Sequence, residues 1–144
     1  MFFILDIVTS ALAVILVAGL RDDSNLEGSL SVDNSHIIMQ TKRIDRVVAL
    51  GPIVLKPLIQ EMNSKETSLD SFARCYSSCD QILRKAGLKE AVDWHGGLIT
   101  TERKSGRVVG VSLIDGDNVK FRQKQVEEIV RRAKELEIDL SGSR

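Results

Sequence analysis

The first twenty residues, Met1 to Leu20, hold 16 apolar residues and one charge, Asp6. From Ile7 to Leu20 an uncharged run of 14 residues is unbroken, and it stops at Arg21, Asp22 and Asp23. A helix that is apolar all round has to be hidden from water, either in lipid or inside protein. As an export signal the run has the length of an apolar signal core, and Val17 and Gly19 are small enough for cleavage after Gly19, but no Lys or Arg precedes it. As an anchor it falls short of the roughly 20 residues that a span needs, although Phe2 to Leu20 just reaches across if Asp6 lies among headgroups. As a buried helix it becomes the central element of the core. The chain therefore divides into residues 1–20 as a signal or anchor segment or a buried helix, 21–34 as a linker, and 35–144 as a single small α+β domain. The first two readings place the protein outside the cell, in a periplasm or on a membrane through residues 2–20, and the third places it in the cytoplasm.

The leader also changes what the composition means. The whole chain of 144 residues is 43% hydrophobic, but residues 21–144 alone hold 46 apolar residues in 124, about 37%. One ordinary core is all that this length supports. Lys plus Arg and Asp plus Glu are both 20, so the cationic excess of a nucleic-acid binder is missing and no nucleic-acid partner is expected. The two halves differ slightly, with net charge −3 over residues 1–70 and +3 over 71–144, which a solvated surface accommodates.

Residues 21–34 (RDDSNLEGSLSVDN) are polar, without a sustained apolar period, and read as linker. Asn34 or Ser35 is positioned to cap a helix in which Ile37, Ile44, Val47 and Val48 recur at helical spacing. Gly51 then supplies a left-handed stop and Pro52 opens the next helix, where a missing N–H costs nothing. That second helix carries Pro57, which predicts a late start or a kink. The string ALGPIVLKPLIQEM, Ala49 to Met62, resembles the corner and second helix of a HEAT-type helical repeat. The resemblance covers residues 35–63, has no second copy at a fixed period, and implies a scaffold or binding surface.

Ser68 caps a third helix, with apolar residues at Leu69, Phe72, Tyr76, Cys79, Leu83 and Ala86 forming one continuous stripe, and Gly87 with Leu88 ending it. Beyond Trp94, His95, Gly96 and Gly97 the residues become rich in Thr, Val and Ile. Leu98–Glu102 and Arg107–Ile114 flank the turn residues Lys104, Ser105 and Gly106, and a second tight turn at Asp115–Asn118 leads to a short strand Val119–Phe121. A closing amphipathic helix from about Arg122 to Glu137 carries Glu127 with Arg131 and Glu128 with Arg132 as stabilising pairs. The predicted fold class is thus α+β: a HEAT-like hairpin plus a third helix, a β-hairpin or three-stranded meander, and a C-terminal helix.

Little in this order carries chemistry. Cys75 and Cys79 share a helix face, but their spacing suits neither a disulfide nor, with only His36 and His95 as nitrogen donors, a structural zinc site. Buried structural thiols are the expectation, with no metal and no cofactor. Asp115 and Asp117 begin like a calcium loop, yet Val119, Lys120 and Val126 stand where that loop needs a ligand, a glycine and a glutamate. Gly110–Ile114 lacks the closing glycine of a nucleophile elbow, and no phosphate-binding loop, dinucleotide fingerprint or HExxH motif occurs. The most site-like feature is Trp94, His95, Gly96 and Gly97, where glycines admit a close approach and the indole offers a flat contact. The sequence therefore points to a non-catalytic protein-interaction module, exported or tethered, with a protein partner or a second copy of the chain. The alternative is a small enzyme or ligand-binding protein with a cleft around Trp94 and His95, aided by Asp93, Glu102 and the cysteines.

Overall fold

The computed structural model describes residues 2–22, 31–33, 36–38, 41–94, 97–101, 108–113 and 118–140, with side chains over 10–21, 41–94 and 120–140. Five α-helices carry the body: α1 Phe2–Ala18, α2 Lys42–Ala49, α3 Leu55–Met62, α4 Leu69–Lys85 and α5 Asn118–Glu135. Two antiparallel ladders accompany it, β1 Ser31–Asp33 with β2 His36–Ile38, and β3 Gly97–Thr101 with β4 Val108–Leu113. They are separate two-stranded pairs and share no strand.

The α+β architecture is corrected to a helical one. Val119–Phe121, expected as a third strand, is the first turn of α5, because a three-residue strand without a partner leaves its backbone unpaired while Phe121, Gln125, Ile129 and Ala133 continue one buried helical face. Every buried hydrophobic residue among the described side chains lies on a helix or a connection between helices. A two-stranded ladder is too small to form a layer of its own. The first helix after the linker also starts later than expected. His36–Ile38 pairs with Ser31–Asp33, and Thr41 caps α2 instead of Asn34 or Ser35, its Oγ1 accepting from the Ile44 N–H at 3.1 Å. Ile37 and Ile44 mimicked a helical period from two different elements. The 3-10 turn Gly51–Val54 follows α2, so α3 begins at Leu55 and Pro57 sits in its first turn.

α4 is the axis of the molecule, packed on α2, α3, α5 and β4. All ten residues from Ser71 to Asp80 are buried, on the polar face as well as on the apolar stripe. α2 and α3 each pack chiefly on α1 and α4. At the start of α4 the Ser68 hydroxyl accepts from the Ser71 N–H at 3.1 Å. At its end Gly87 takes φ +120°, the Leu88 N–H donates to the Leu83 carbonyl at 2.9 Å and the Gly87 N–H to that of Arg84 at 3.2 Å, a Schellman stop. The same hydrogen-bond pattern ends α5, where Ile138 N–H donates to Ala133 at 3.0 Å, but there the left-handed position is held by Glu137, at φ 58°. Opposite outcomes are expected from two substitutions. Gly87→Ala forces a Cβ into a backbone region that L residues avoid and lowers stability by about 1–2 kcal/mol, whereas Glu137→Gly relieves that strain and is neutral or stabilising by up to about 1 kcal/mol. Chemical denaturation of the two variants reads both signs.

α1 is corrected most. Its Ala13 and Val17, with Leu20 in the 3-10 turn that follows it, are buried in the core, and it packs on α2, α3 and the turn between them. With 17 residues it is about 25 Å long, short of the roughly 30 Å hydrocarbon core. Among the described residues no helix is long and apolar enough to cross a membrane. Anchoring through residues 2–20 is therefore withdrawn as a location and as a membrane contact, and the export reading loses its ground to the packing of the helix end.

Candidate functional site

The sequence placed its candidate site at Trp94–Gly97. Trp94 is half-buried and completes an aromatic cluster, its ring centroid 4.9 Å from Tyr76, 5.0 Å from Phe121 and 6.3 Å from Phe72. Phe72 in turn lies 5.6 Å from Phe121 and carries the Arg122 guanidinium 5.3 Å above its ring. Backbone ties close the same corner: the Tyr76 hydroxyl donates to the Val92 carbonyl, the Val92 N–H to Asp80 Oδ1 at 2.8 Å, and Gln125 Nε2 to the Asp93 carbonyl at 2.7 Å. The surface that an indole would offer a ligand is thus occupied by the protein's own rings. Gly97 opens β3, paired with Leu113, while His95, Gly96 and Glu102 lie outside the described residues. His36 falls in β2, in a different ladder from Gly97.

Cys75 and Cys79 are free and fully buried. Burial pushes both thiols well above the ordinary range; for Cys75 the negative charge of Glu61 adds to this, and for Cys79 its neighbours Cys75 and Asp80 do. A thiol held protonated is neither a nucleophile nor a ready metal ligand. Among the described residues no group of three His, Cys, Asp or Glu side chains could hold a metal ion.

A denser polar constellation sits elsewhere, at the C-terminal end of α1. The helix passes into a 3-10 turn, Gly19–Asp22, whose carbonyls would otherwise lack partners. Arg43 Nη1 donates to the Gly19 carbonyl at 2.6 Å, and the buried Arg74 donates from Nη1 to the Leu20 carbonyl at 3.0 Å. Both cations lie where the helix macrodipole is negative. Arg21 completes the clasp: its Nε meets Glu61 Oε2 at 2.6 Å, Nη1 meets Glu66 at 3.2 Å and Nη2 donates to Ser64 Oγ at 3.3 Å. The hydrogen bond it donates to Glu61 leads in holding the Arg21 guanidinium more firmly charged than usual. The same Oε2 of Glu61, a residue only 9% exposed, also accepts from the Thr67 hydroxyl.

Chemically this is a clasp. Arg21 is engaged on three nitrogens, and the buried Glu61 carboxylate is shared by Arg21 and Thr67. A shallow groove of about 190 Å³ runs beside it between α1 and α3, with Val14, Val17 and Ala18 on one wall and Pro57 and Gln60 on the other. Sequence reasoning missed the clasp because its parts are 24, 40 and 54 residues apart. The one local signal was the abrupt change from apolar run to Arg21.

Compared with protein-family models, with curated proteins and with solved structures, the chain matches none of them. The HEAT-type resemblance of Ala49–Met62 therefore gains no family support. With no span among the described residues, a filled corner at Trp94 and no match to a known protein, neither the exported or tethered interaction module nor the Trp94–His95 cleft is supported, and what remains is a small helical domain.

Proposed function

We propose that the chain acts as a structural helical domain, with α1 as a permanent strut of its core. The observation that carries this reading is the clasp on α1. Arg43 and Arg74 hold the carbonyls of Gly19 and Leu20, on either side of the bond that cleavage after Gly19 would cut. Such a cut would release the buried Val17 and Ala13 together with the partner of Arg43. The remaining buried polar groups support the same view, since Asp80, Gln125 and Tyr76 each tie one segment of the fold to the backbone of another.

A structural role makes function follow the folded fraction. In cells that depend on the protein, Leu20→Ala and Arg74→Met are expected to lose function in step with their melting temperature. Exposed charges such as Glu90 and Lys124 are expected to be replaceable by Gln without effect. Intact mass of the protein recovered from those cells should include residues 2–22. A product beginning after Gly19, or a variant with the wild-type melting temperature and no function, would overturn the reading.

A further inference from the structure

The groove beside the clasp has two matched walls. On α1, Val14, Val17 and Ala18 lead to Arg21 at helical steps of three, one and three. On α3, Pro57, Gln60 and Glu61 lead to Ser64 at the same steps. Arg21 donates to both Glu61 and Ser64, so the two walls turn polar at one end, and seven residues of helix make the groove about 10 Å long. Its far end is apolar, and there Val14 stands 57% exposed. The polar end already holds a carboxylate. Arg21 Nε is committed to the buried Glu61, whereas Nη1 meets Glu66, a side chain 81% exposed, at 3.2 Å. An exposed pair of this kind is weak, and Glu66 can exchange it for water. Ser64 Oγ accepts from Arg21 Nη2 and from the Glu66 N–H, both at 3.3 Å, which leaves its own proton to donate. A second guanidinium, that of Arg122 on α5, reaches the Ser64 carbonyl at 3.5 Å.

We propose that this groove binds a medium-chain fatty acid, its carboxylate taking the place of Glu66 on Arg21 Nη1 and accepting from the Ser64 hydroxyl, its tail lying between Val14 and Pro57. Charge selects the head group. The Glu66 carboxylate marks where an anion sits, and a charge-assisted hydrogen bond from a guanidinium favours a carboxylate over an alcohol and excludes an amine. Length and volume select the tail. An extended chain advances about 1.2 Å per bond, so a 10 Å groove takes roughly six to eight carbons. The volume of about 190 Å³ lies below the roughly 300 Å³ at which sites for drug-sized ligands begin. The tail covers Val14 and the exposed side of Ala18, which the fold itself leaves to water. The inference goes beyond the structural role proposed above and does not depend on it. Glu61 keeps Arg21 Nε, and Arg43 and Arg74 keep their carbonyls, whether the groove is filled or empty.

The test uses the full chain at pH 7 with octanoate as the probe. In an NMR titration the amide signals of residues 14–21 and 57–66 are expected to shift saturably with a Kd of about 1 mM, which is what about ten heavy atoms in a shallow site supply. Compared at about 2 mM, acetate lacks the tail and octan-1-ol the charge, and neither is expected to move those signals appreciably. Glu66→Gln removes the internal competitor and is expected to tighten octanoate binding about two- to fivefold. Val14→Glu, at an exposed position, is expected to weaken it at least about fivefold with the melting temperature kept. A purely structural role for these residues predicts none of these changes. The proposal is overturned by the absence of a saturable shift at these residues, by acetate or octan-1-ol binding as well as octanoate, by weaker binding in Glu66→Gln, or by unchanged binding in a folded Val14→Glu.

Discussion

A chain beginning at Asp23 is expected to lose its cooperative fold. Truncation there removes Leu20, Val17 and Ala13, all at most 3% exposed, from contact with the core. Full burial of one leucine is worth about 1.5–3 kcal/mol. The polar losses are as important. Arg74, 5% exposed, loses its Leu20 carbonyl, and Glu61, 9% exposed, loses Arg21. Leaving a buried polar group without its hydrogen-bond partner, as at Arg74, typically costs about 1–3 kcal/mol. A domain of this size has about 5–15 kcal/mol in all, so the truncated chain is expected to show weak helical circular dichroism, no sharp melting transition and rapid proteolysis. Leu20→Ala alone is expected to cost about 2–5 kcal/mol. A truncated chain that melted sharply, within about 1 kcal/mol of the intact one, would make α1 an appendage and remove the basis of the clasp.

The second large effect belongs to the aromatic corner. Phe72→Ala is expected to cost about 3–5 kcal/mol, because it opens a cavity beneath Trp94 and Phe121, beside Tyr76 on the same helix. Phe72 is fully buried and touches both the Trp94 and the Phe121 rings. Trp94 is the chain's only tryptophan, so its emission reports this corner without labelling. The folded Phe72→Ala protein is expected to show a red-shifted, less structured Trp signal and an earlier unfolding midpoint in urea. Tyr76→Phe keeps the ring and deletes only the donor to the Val92 carbonyl, for a smaller loss of about 1–3 kcal/mol. If Phe72→Ala left both midpoint and emission unchanged, the corner would not be a packed core, and an opening at Trp94 would have to be considered again.

These two regions show how far the residues alone could be read. α4 was legible because its signals are local: the cap at Ser68, the apolar steps from Leu69 to Leu83, and Gly87 with Leu88 at its end. What could not be read was that its polar face is buried as well. Asp80, Ser77 and Ser78 look like a solvated face until other segments are laid over them. The helical period across Ile37 and Ile44 was misleading for a related reason. The β1–β2 ladder takes the first residue and α2 the second, and periodicity counts residues without knowing where an element breaks. Val119 and Phe121 have the composition of a strand, but a strand needs a neighbour, and tertiary packing gave them a helix. α1 was ambiguous in principle. An apolar helix looks the same in lipid and in a core, and what decides between them here, Arg43, Arg74 and Glu61, lies far along the chain. Trp94 beside glycines has the same composition as a ligand platform and as a closed corner, and the rings that pack on it, Phe72, Tyr76 and Phe121, belong to other elements.

The 54 residues between Leu20 and Arg74 also set an order in time. α1 is synthesised before α4, and the residue that satisfies the Leu20 carbonyl just beyond it comes much later. At about 5–20 residues per second, the ribosome takes roughly three to ten seconds to supply it. Until Lys42–Met62 has followed it, the most apolar segment of the protein has no native partner for its buried side, and its end is pinned only once Arg74 arrives. The nascent chain therefore passes through a state in which its own core helix competes with every apolar surface nearby, and its yield in a cell depends on what shields that helix until α2 and α3 emerge.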